Sequence, residues 1–276
     1  MGETTLGRHE PVIDQLTEVW ASIVTACAEV DDEQWARPTE CPGWSVKDNL
    51  SHLIGIERML LGDPSPPALT EVPAHVRNPF GEVNEAWVDA RRDVPGSEVL
   101  AEFVDTTNRR IDALSAMTTD QFDVVGWSPV GDVPYREFMA TRVLDTWAHE
   151  QDIRRALGRP GGRNGAGERE VLDRCERTMP YVVGKKVAPP DGTSVLFAVT
   201  GVLGRQIAVS VHGGRASLSP PSADAPTVSL TMDQDVFWRR CYGRLGAEES
   251  LPGGPVVIQG DVDLGRRVLA GLAFMI

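Results

Sequence analysis

Residues 145–162 read DTWAHEQDIRRALGRPGG. They close a helix that the sequence YREFMATRVLDTWAHEQDIRRAL begins at Tyr135, and the amphipathic tail stops at Gly158 and Pro160, residues that end helices. Asp145 and His149 stand four apart. On a helix that spacing places two side chains on one face, roughly 5–6 Å apart at Cβ. The pair can converge on one ion, or it can be an ordinary solvated pair. Asp152 admits two readings as well: an acceptor for the second ring nitrogen of His149, or a surface acid paired with Arg155.

Two ligands from one helix leave a metal site incomplete, so a third must come from elsewhere. The chain has five histidines. His9 precedes the first helix, His75 lies in a proline-rich loop and His212 ends a strand. Apart from His149, only His52 lies within a strong helical pattern, VKDNLSHLIGIERML. Alone it would read as a satisfied core histidine. With Asp145 and His149 it makes two imidazoles and one carboxylate, a set that leaves a coordination position open for water or substrate. The same set serves zinc or non-haem iron, and ligand type does not separate the two.

Outward from this helix, the first two-thirds of the chain read as helices. Pro11 suits a first helical position, and Val12, Leu16, Val19, Trp20, Ile23 and Cys27 follow at helical spacing. DDEQWARPTECPGW breaks that helix, and Ser45 restarts it with Asp48 three residues on, close to a capping box. The long loop GDPSPPALTEVPAHVRNP follows, of the kind that covers sites. Then come FGEVNEAWVDARR and SEVLAEFVDTTNRRIDALSAM, the latter with Val99, Phe103, Ile111 and Leu114 on one stripe, and the turn-rich VVGWSPVGDVP. Four principal helices predict a bundle. After about Pro160 a further helical stretch, GAGEREVLDRCERTMPYVVGKK, leads to alternating strands: VLFAVTG, RQIAVSVHGG, RASLS and PTVSLTM. DQDVFWRRCYGRL predicts a short helix, PVVIQG a strand and DLGRRVLAGLAFMI a closing helix. The expected fold is a mainly α N-terminal four-helix bundle with a smaller C-terminal α+β domain. The expected division is a metal-binding bundle over 8–160, a helical connector over 161–190 and an α+β domain over 191–276.

Composition narrows the function. The chain has 276 residues and a formal net charge of -13, which opposes the counterion release that drives nucleic-acid binding and any polybasic attachment to membranes. No apolar run reaches the length of a membrane span, the N-terminus lacks a signal-peptide pattern, and Leu6 stands where myristoylation wants Ser or Thr. A cytoplasmic location is expected. Cys27, Cys41, Cys175 and Cys241 form no CxxC pair, so zinc-finger and dithiol chemistry are not indicated.

ECPGWSVKDNLSHLIGIERMLLG together with RVLDTWAHEQDIRRALGRPGG resembles the mycothiol-dependent maleylpyruvate isomerase family, within the DinB-like four-helix superfamily. The resemblance implies a C-terminal domain related in pattern to sterol-carrier folds. It implies metal ligands at His52, Asp145 and His149, with Asp145 one methylene shorter than the glutamate of the family pattern. It further implies mycothiol as cosubstrate, a divalent metal, most readily zinc, and an arginine of the second domain on an anionic substrate. Of Arg239, Arg240 and Arg244 in FWRRCYGRL, the candidates taken for that catalytic role are Arg240 and Arg244, since a guanidinium fork matches a carboxylate. Trp44 and Asn49 are the candidate cofactor-binding residues, against the plainer roles of a helix-packing tryptophan and a surface amide.

The implied chemistry is thiolate attack on a small electrophile, either cis–trans isomerisation or S-transfer, by a monomer or homodimer. A metal-dependent hydrolase with water in the open position uses the same ligands. A non-catalytic small-molecule-binding protein is the third reading.

Overall fold

The computed structural model describes residues 10–129, 131–220, 224–247 and 254–275. Residue 8, where the first domain is expected to begin, and His9 lie outside them. The chain divides into two compact units, 1–168 and 169–276. The expected 161–190 connector is thus shared between the two.

The first unit is helical. It contains α1 (Pro11–Ala26), α2 (Asp32–Trp35), α3 (Val46–Leu60), α4 (Pro79–Asp89), α5 (Gly96–Ser115), α6 (Thr119–Phe122), a two-residue pairing of β1 (Val125–Gly126) with β2 (Val133–Pro134), and α7 (Tyr135–Leu157). Four of these close a ring: α1 packs on α7, α7 on α3, α3 on α5 and α5 on α1. Leu16, Val19, Trp20 and Ile23 from α1, Leu50, Leu53 and Ile54 from α3, and Val99, Phe103 and Leu114 from α5 fill the core as their spacing predicts. One position of the α5 stripe differs. Arg110 is fully buried there and Ile111 only half-buried, because Glu57 on α3 accepts from Arg110 Nε at 2.9 Å.

Helix ends follow local chemistry. Pro11 occupies the first turn of α1, and Gly158 ends α7 in the left-handed region at φ 65°. Beyond it, Arg159 Nη1 donates to the carbonyls of Ala26 at 2.9 Å and Ala28 at 2.5 Å, placing a cation on the negative end of α1. The α1–α7 contact also holds buried charge. Glu150 accepts from Ser22 at 2.5 Å and from Arg154 at 2.6 Å. Among the described residues no helix is long and apolar enough to cross a membrane.

The second unit contains most of α8 (Ala166–Tyr181), a π-helical turn (Val182–Val187), β3 (Ser194–Thr200), β4 (Arg205–His212), β5 (Arg215–Ser219), β6 (Val228–Asp233), α9 (Gln234–Cys241), β7 (Val256–Gly260) and α10 (Val262–Gly271). The sheet order is β5-β4-β3-β6-β7, with β3 and β6 parallel and the other neighbours antiparallel. Alternation puts Val195, Phe197 and Val199, Ile207, Val209 and Val211, and Val228, Leu230 and Met232 on the buried face, against which α9 and α10 pack. Arg205 of β4 pairs with Asp173 and Glu176 of α8. The closing helix is shorter than the sequence predicts. It stops at Gly271, and the amides of Phe274 and Met275 donate to the Cys241 carbonyl, so the chain's end satisfies α9 instead of prolonging α10.

Close approach fixes α3 against α4. A Cβ on Gly55 would stand 2.5 Å from Trp87 Cβ and Cγ. Gly55→Ala is therefore expected to destabilise the helical unit by about 1–3 kcal/mol, despite alanine's higher helix propensity of about 1 kcal/mol. Chemical denaturation followed by far-UV circular dichroism would show a lowered midpoint.

Candidate functional site

Ser45 starts the site. Its Oγ accepts from the Asp48 amide at 3.2 Å, and Asp48 Oδ2 accepts from the Ser45 amide at 2.9 Å. Such a cap contributes about 1 kcal/mol and sets the direction in which α3 leaves the turn. Thr39 braces that turn: its Oγ1 donates to the Trp44 carbonyl at 2.9 Å and accepts from Asn49 Nδ2 at 3.0 Å.

Asn49 is completely buried. Its Nδ2 also donates to the Ser45 carbonyl at 2.8 Å. A carbonyl only accepts, so the amide nitrogen faces Ser45 and the oxygen faces His149, whose Nδ1 lies 2.7 Å from Asn49 Oδ1. Nδ1 of His149 therefore carries the proton and Nε2 keeps its lone pair. Asn49 thus acts on the site through His149, and it is not the surface amide of the plainer reading.

The Nε2 atoms of the two histidines converge on one carboxylate. His52 Nε2 stands 3.4 Å from Asp145 Oδ2, and His149 Nε2 stands 3.7 Å from Asp145 Oδ1. One ligand atom from each of His52, Asp145 and His149 lies within 4.8 Å of the others. Two ligands on a tetrahedral zinc with bonds of roughly 2.0–2.2 Å stand roughly 3.3–3.6 Å apart. Donor set and spacing both fit a divalent cation. The histidines are buried, whereas 31% of the Asp145 side chain is exposed, so the cluster is open on the side of the carboxylate.

A second group, Cys41, His149 and Asp152, has equally close ligand atoms. It uses the other face of His149, where Asp152 Oδ2 lies 3.4 Å from Nδ1. That nitrogen already donates to Asn49, which leaves the Nε2 group as the one with an available lone pair. Asp152 is fully buried and so is not a surface acid, while Arg155 Nε lies 3.9 Å from Glu40.

Trp44 forms a wall. Its ring centroid is 4.9 Å from that of His52 and 5.7 Å from that of His149. The indole Nε1 donates to Glu85 on α4 at 2.8 Å, and Glu85 also receives His75 Nε2 at 3.0 Å and Arg92 Nη2 at 2.5 Å. Burial alone would raise the Glu85 pKa, but these three donors outweigh it and hold the carboxyl below its usual range. His75 brings the proline-rich loop to the site. Its ring rests on Gly43, where a Cβ would come within 2.4 Å of Nδ1 and φ is +81°. Glu85 has no motif in the sequence. Its one signal is an acid three residues behind Val88, on the buried side of a short helix.

Arg240 and Arg244 belong to the second unit. Arg240 is buried, and its guanidinium donates to the carbonyls of Leu245 and Leu269. Main-chain carbonyls occupy the fork expected to meet an anionic substrate, so Arg240 ties α9 to the end of α10. Arg244 Nη1 donates to the Tyr242 carbonyl at 3.1 Å. No disulfide joins the four cysteines, and burial pushes the Cys27 thiol up to about 12, which makes it inert.

Burial also dominates at His52, pushing its pKa down from 6.5 to about 4 against the opposing hydrogen bond of Asp145. At Asp145, burial would raise the pKa, but Arg142 and the two imidazoles hold it well below the carboxylate range. Both groups are in metal-binding protonation states at neutral pH. In metal-free protein the unfolded chain binds more protons at His52 between pH 4 and 6.5. The stability tied to this neutral histidine is complete above that window and falls as pH drops through it, by roughly 3 kcal/mol in all. Asp145 adds no slope there, because its stabilisation is lost only below its ordinary range. Urea unfolding of the metal-free protein at pH 7 and pH 5 should show about 2 kcal/mol of this loss in the wild type and a much smaller one in His52→Gln.

The class defined by fold and site is a helical domain with a histidine–carboxylate cluster between two of its helices, followed by an α+β domain. Residues 16–154 match the mycothiol maleylpyruvate isomerase N-terminal domain, and the chain belongs to that family. Two uncharacterized proteins of Mycobacterium tuberculosis, from strains CDC 1551 / Oshkosh and ATCC 25618 / H37Rv, are each 30% identical over 139 residues, 48% of this chain and 50% of theirs. The chain thus spans about half the length of the curated relatives it matches. Among solved structures, the mycothiol-dependent maleylpyruvate isomerase aligns with a TM-score of 0.56 at 14% identity over 91% of this chain and 92% of that one. A histidine-to-alanine mutant of that enzyme aligns at 0.54 and 13% identity over 86% and 89%. At these identities the likeness is one of fold, and it extends over both units.

Proposed function

We propose that the chain is a metal-dependent enzyme using mycothiol as thiol cosubstrate, with His52, Asp145 and His149 holding a divalent cation, most readily zinc. The observation that carries this is the convergence of three ligand atoms within 4.8 Å, with the His149 tautomer fixed by Asn49, in a chain of this family. In this proposal the helical unit is a DinB-like four-helix bundle and the second unit is sterol-carrier-like. The medium is the cytoplasm and the partners are small molecules.

A divalent cation with an open position lowers the pKa of a coordinated thiol and makes it a nucleophile near neutral pH. The chain's own residues supply the rest. His52 and His149 would supply ring nitrogens to the ion and Asp145 one negative charge, and Trp44 would exclude water from one side of the pocket. The thiolate then attacks a small electrophile. In an isomerisation it adds to a cis double bond, the new single bond rotates, and elimination releases the trans product and the thiol. In S-transfer the thiolate instead displaces a leaving group, which departs with the bonding pair, or opens an epoxide by breaking its C–O bond, and the sulfur stays on the product. Arg244 is retained as a candidate for an anionic substrate group, on the strength of guanidinium–carboxylate complementarity.

Elemental analysis of protein purified without chelators should return about one metal per chain. His52→Ala and His149→Ala should each retain less than about a tenth of it with an unchanged helical signal, as expected for removal of one of three ligands. Asn49→Ala should weaken zinc binding about 10–100-fold by releasing the His149 ring. A screen of electrophiles with and without mycothiol tests the thiol. Turnover that persists without it would replace this proposal with a metal-dependent hydrolase.

A further inference from the structure

We infer that Arg142 is a positioning residue for the Asp145 carboxylate, an inference that rests on the metal site proposed above. Arg142 lies three residues before Asp145 on α7, and its side chain is 5% exposed. Its Nη1 donates to Asp145 Oδ2 at 2.5 Å, while Nε donates to Glu57 Oε1 at 2.9 Å. The other Glu57 oxygen accepts from Arg110 Nε at 2.9 Å. Glu57 is completely buried with an arginine on each oxygen, so it serves as an anchor and not as a ligand. The line Arg110–Glu57–Arg142–Asp145 runs from α5 through α3 to α7. Its Glu57–Arg142–Asp145 segment fixes the Asp145 carboxylate relative to α3, the helix that carries His52, while Arg110 only steadies the far oxygen of Glu57.

Asp145 needs such a fix. It has a short side chain, 31% exposed, and its carboxylate can rotate towards water or towards the imidazoles. Arg142, pinned at its far end by Glu57, holds one oxygen on the side of His52. Two features argue against a purely structural network. Buried ion pairs stabilise a fold no better than well-packed apolar residues do. Arg142 Nη2 is buried without a hydrogen-bond partner, a cost that makes the network's net worth to the fold smaller still. Charge alone points the other way from positioning. A guanidinium beside a ligand repels a cation, so its removal would tighten metal binding if electrostatics were its only effect.

That opposition makes the test decisive. Zinc affinity would be measured by competition with a chromophoric chelator for wild type, Arg142→Met, Arg142→Lys and Arg110→Met, with circular dichroism and thermal unfolding of each metal-free protein. Arg110→Met breaks the same network without touching Asp145. Arg142→Lys keeps the charge but cannot span Glu57 and Asp145, and it stands in should the methionine variant not fold. The expected result is a roughly 10–100-fold loss of affinity in the Arg142 variants, with Arg110→Met within about threefold of wild type at a similar cost in Tm. Unchanged or tighter binding in the Arg142 variants overturns the inference. So does an equal loss in Arg110→Met that tracks Tm. Wild type that binds no zinc overturns the metal proposal itself, a result distinct from either.

Discussion

Several of the polar side chains that α7 carries into the core find a partner on another helix. That matching organises the first unit. Helix α7 buries Arg142, His149, Glu150, Asp152 and Arg154 along with its apolar residues, and an unpaired buried charge would cost more than most single contacts supply. Arg142 is answered by Glu57 on α3, His149 by Asn49 on α3, and Glu150 and Arg154 by Ser22 on α1. These pairings, with the apolar residues of α7, fix the rotation of the helix about its own axis. The same rotation turns Asp145 and His149 towards His52. The cluster is thus a product of how the helix is held.

Much of this was legible in the chain. The Ser45–Asp48 cap, the proline at the start of α1, the glycine after α7 and the alternation of β3, β4 and β6 are local rules, and each structure element follows its rule. His52, Asp145 and His149 were selected by helical spacing, by the shortage of histidines elsewhere and by the family resemblance, and they do lie together. What spacing could not reveal is which polar residues are buried. On α5 the stripe reads as well through Ile111 as through Arg110, and only the position of Glu57 on α3 decides between them. Glu85 is obscure for the same reason, and so is the bond of Asn49 to His149: their partners are far away in sequence, and no local pattern distinguishes a buried polar group from a solvated one.

The second unit shows a related limit. Its strands are readable one by one, but the parallel pairing of β3 with β6 is a non-local choice. Arg240 illustrates the point in chemistry. A guanidinium in the sequence FWRRCYGRL is equally suited to a carboxylate ligand or to main-chain carbonyls, and here carbonyls from Leu245 and Leu269 take it.

Glu85 joins α4, the proline-rich loop and Trp44 through three hydrogen bonds. The proposed metal ligands come from α3 and α7, whereas the pocket wall is held by α4 and, through His75, by the proline-rich loop. Sequence drift in that loop can therefore reshape the wall at Trp44 without disturbing the ion's own residues. Such an arrangement lets the wall beside the histidine–carboxylate cluster change shape while the cluster itself stays as it is.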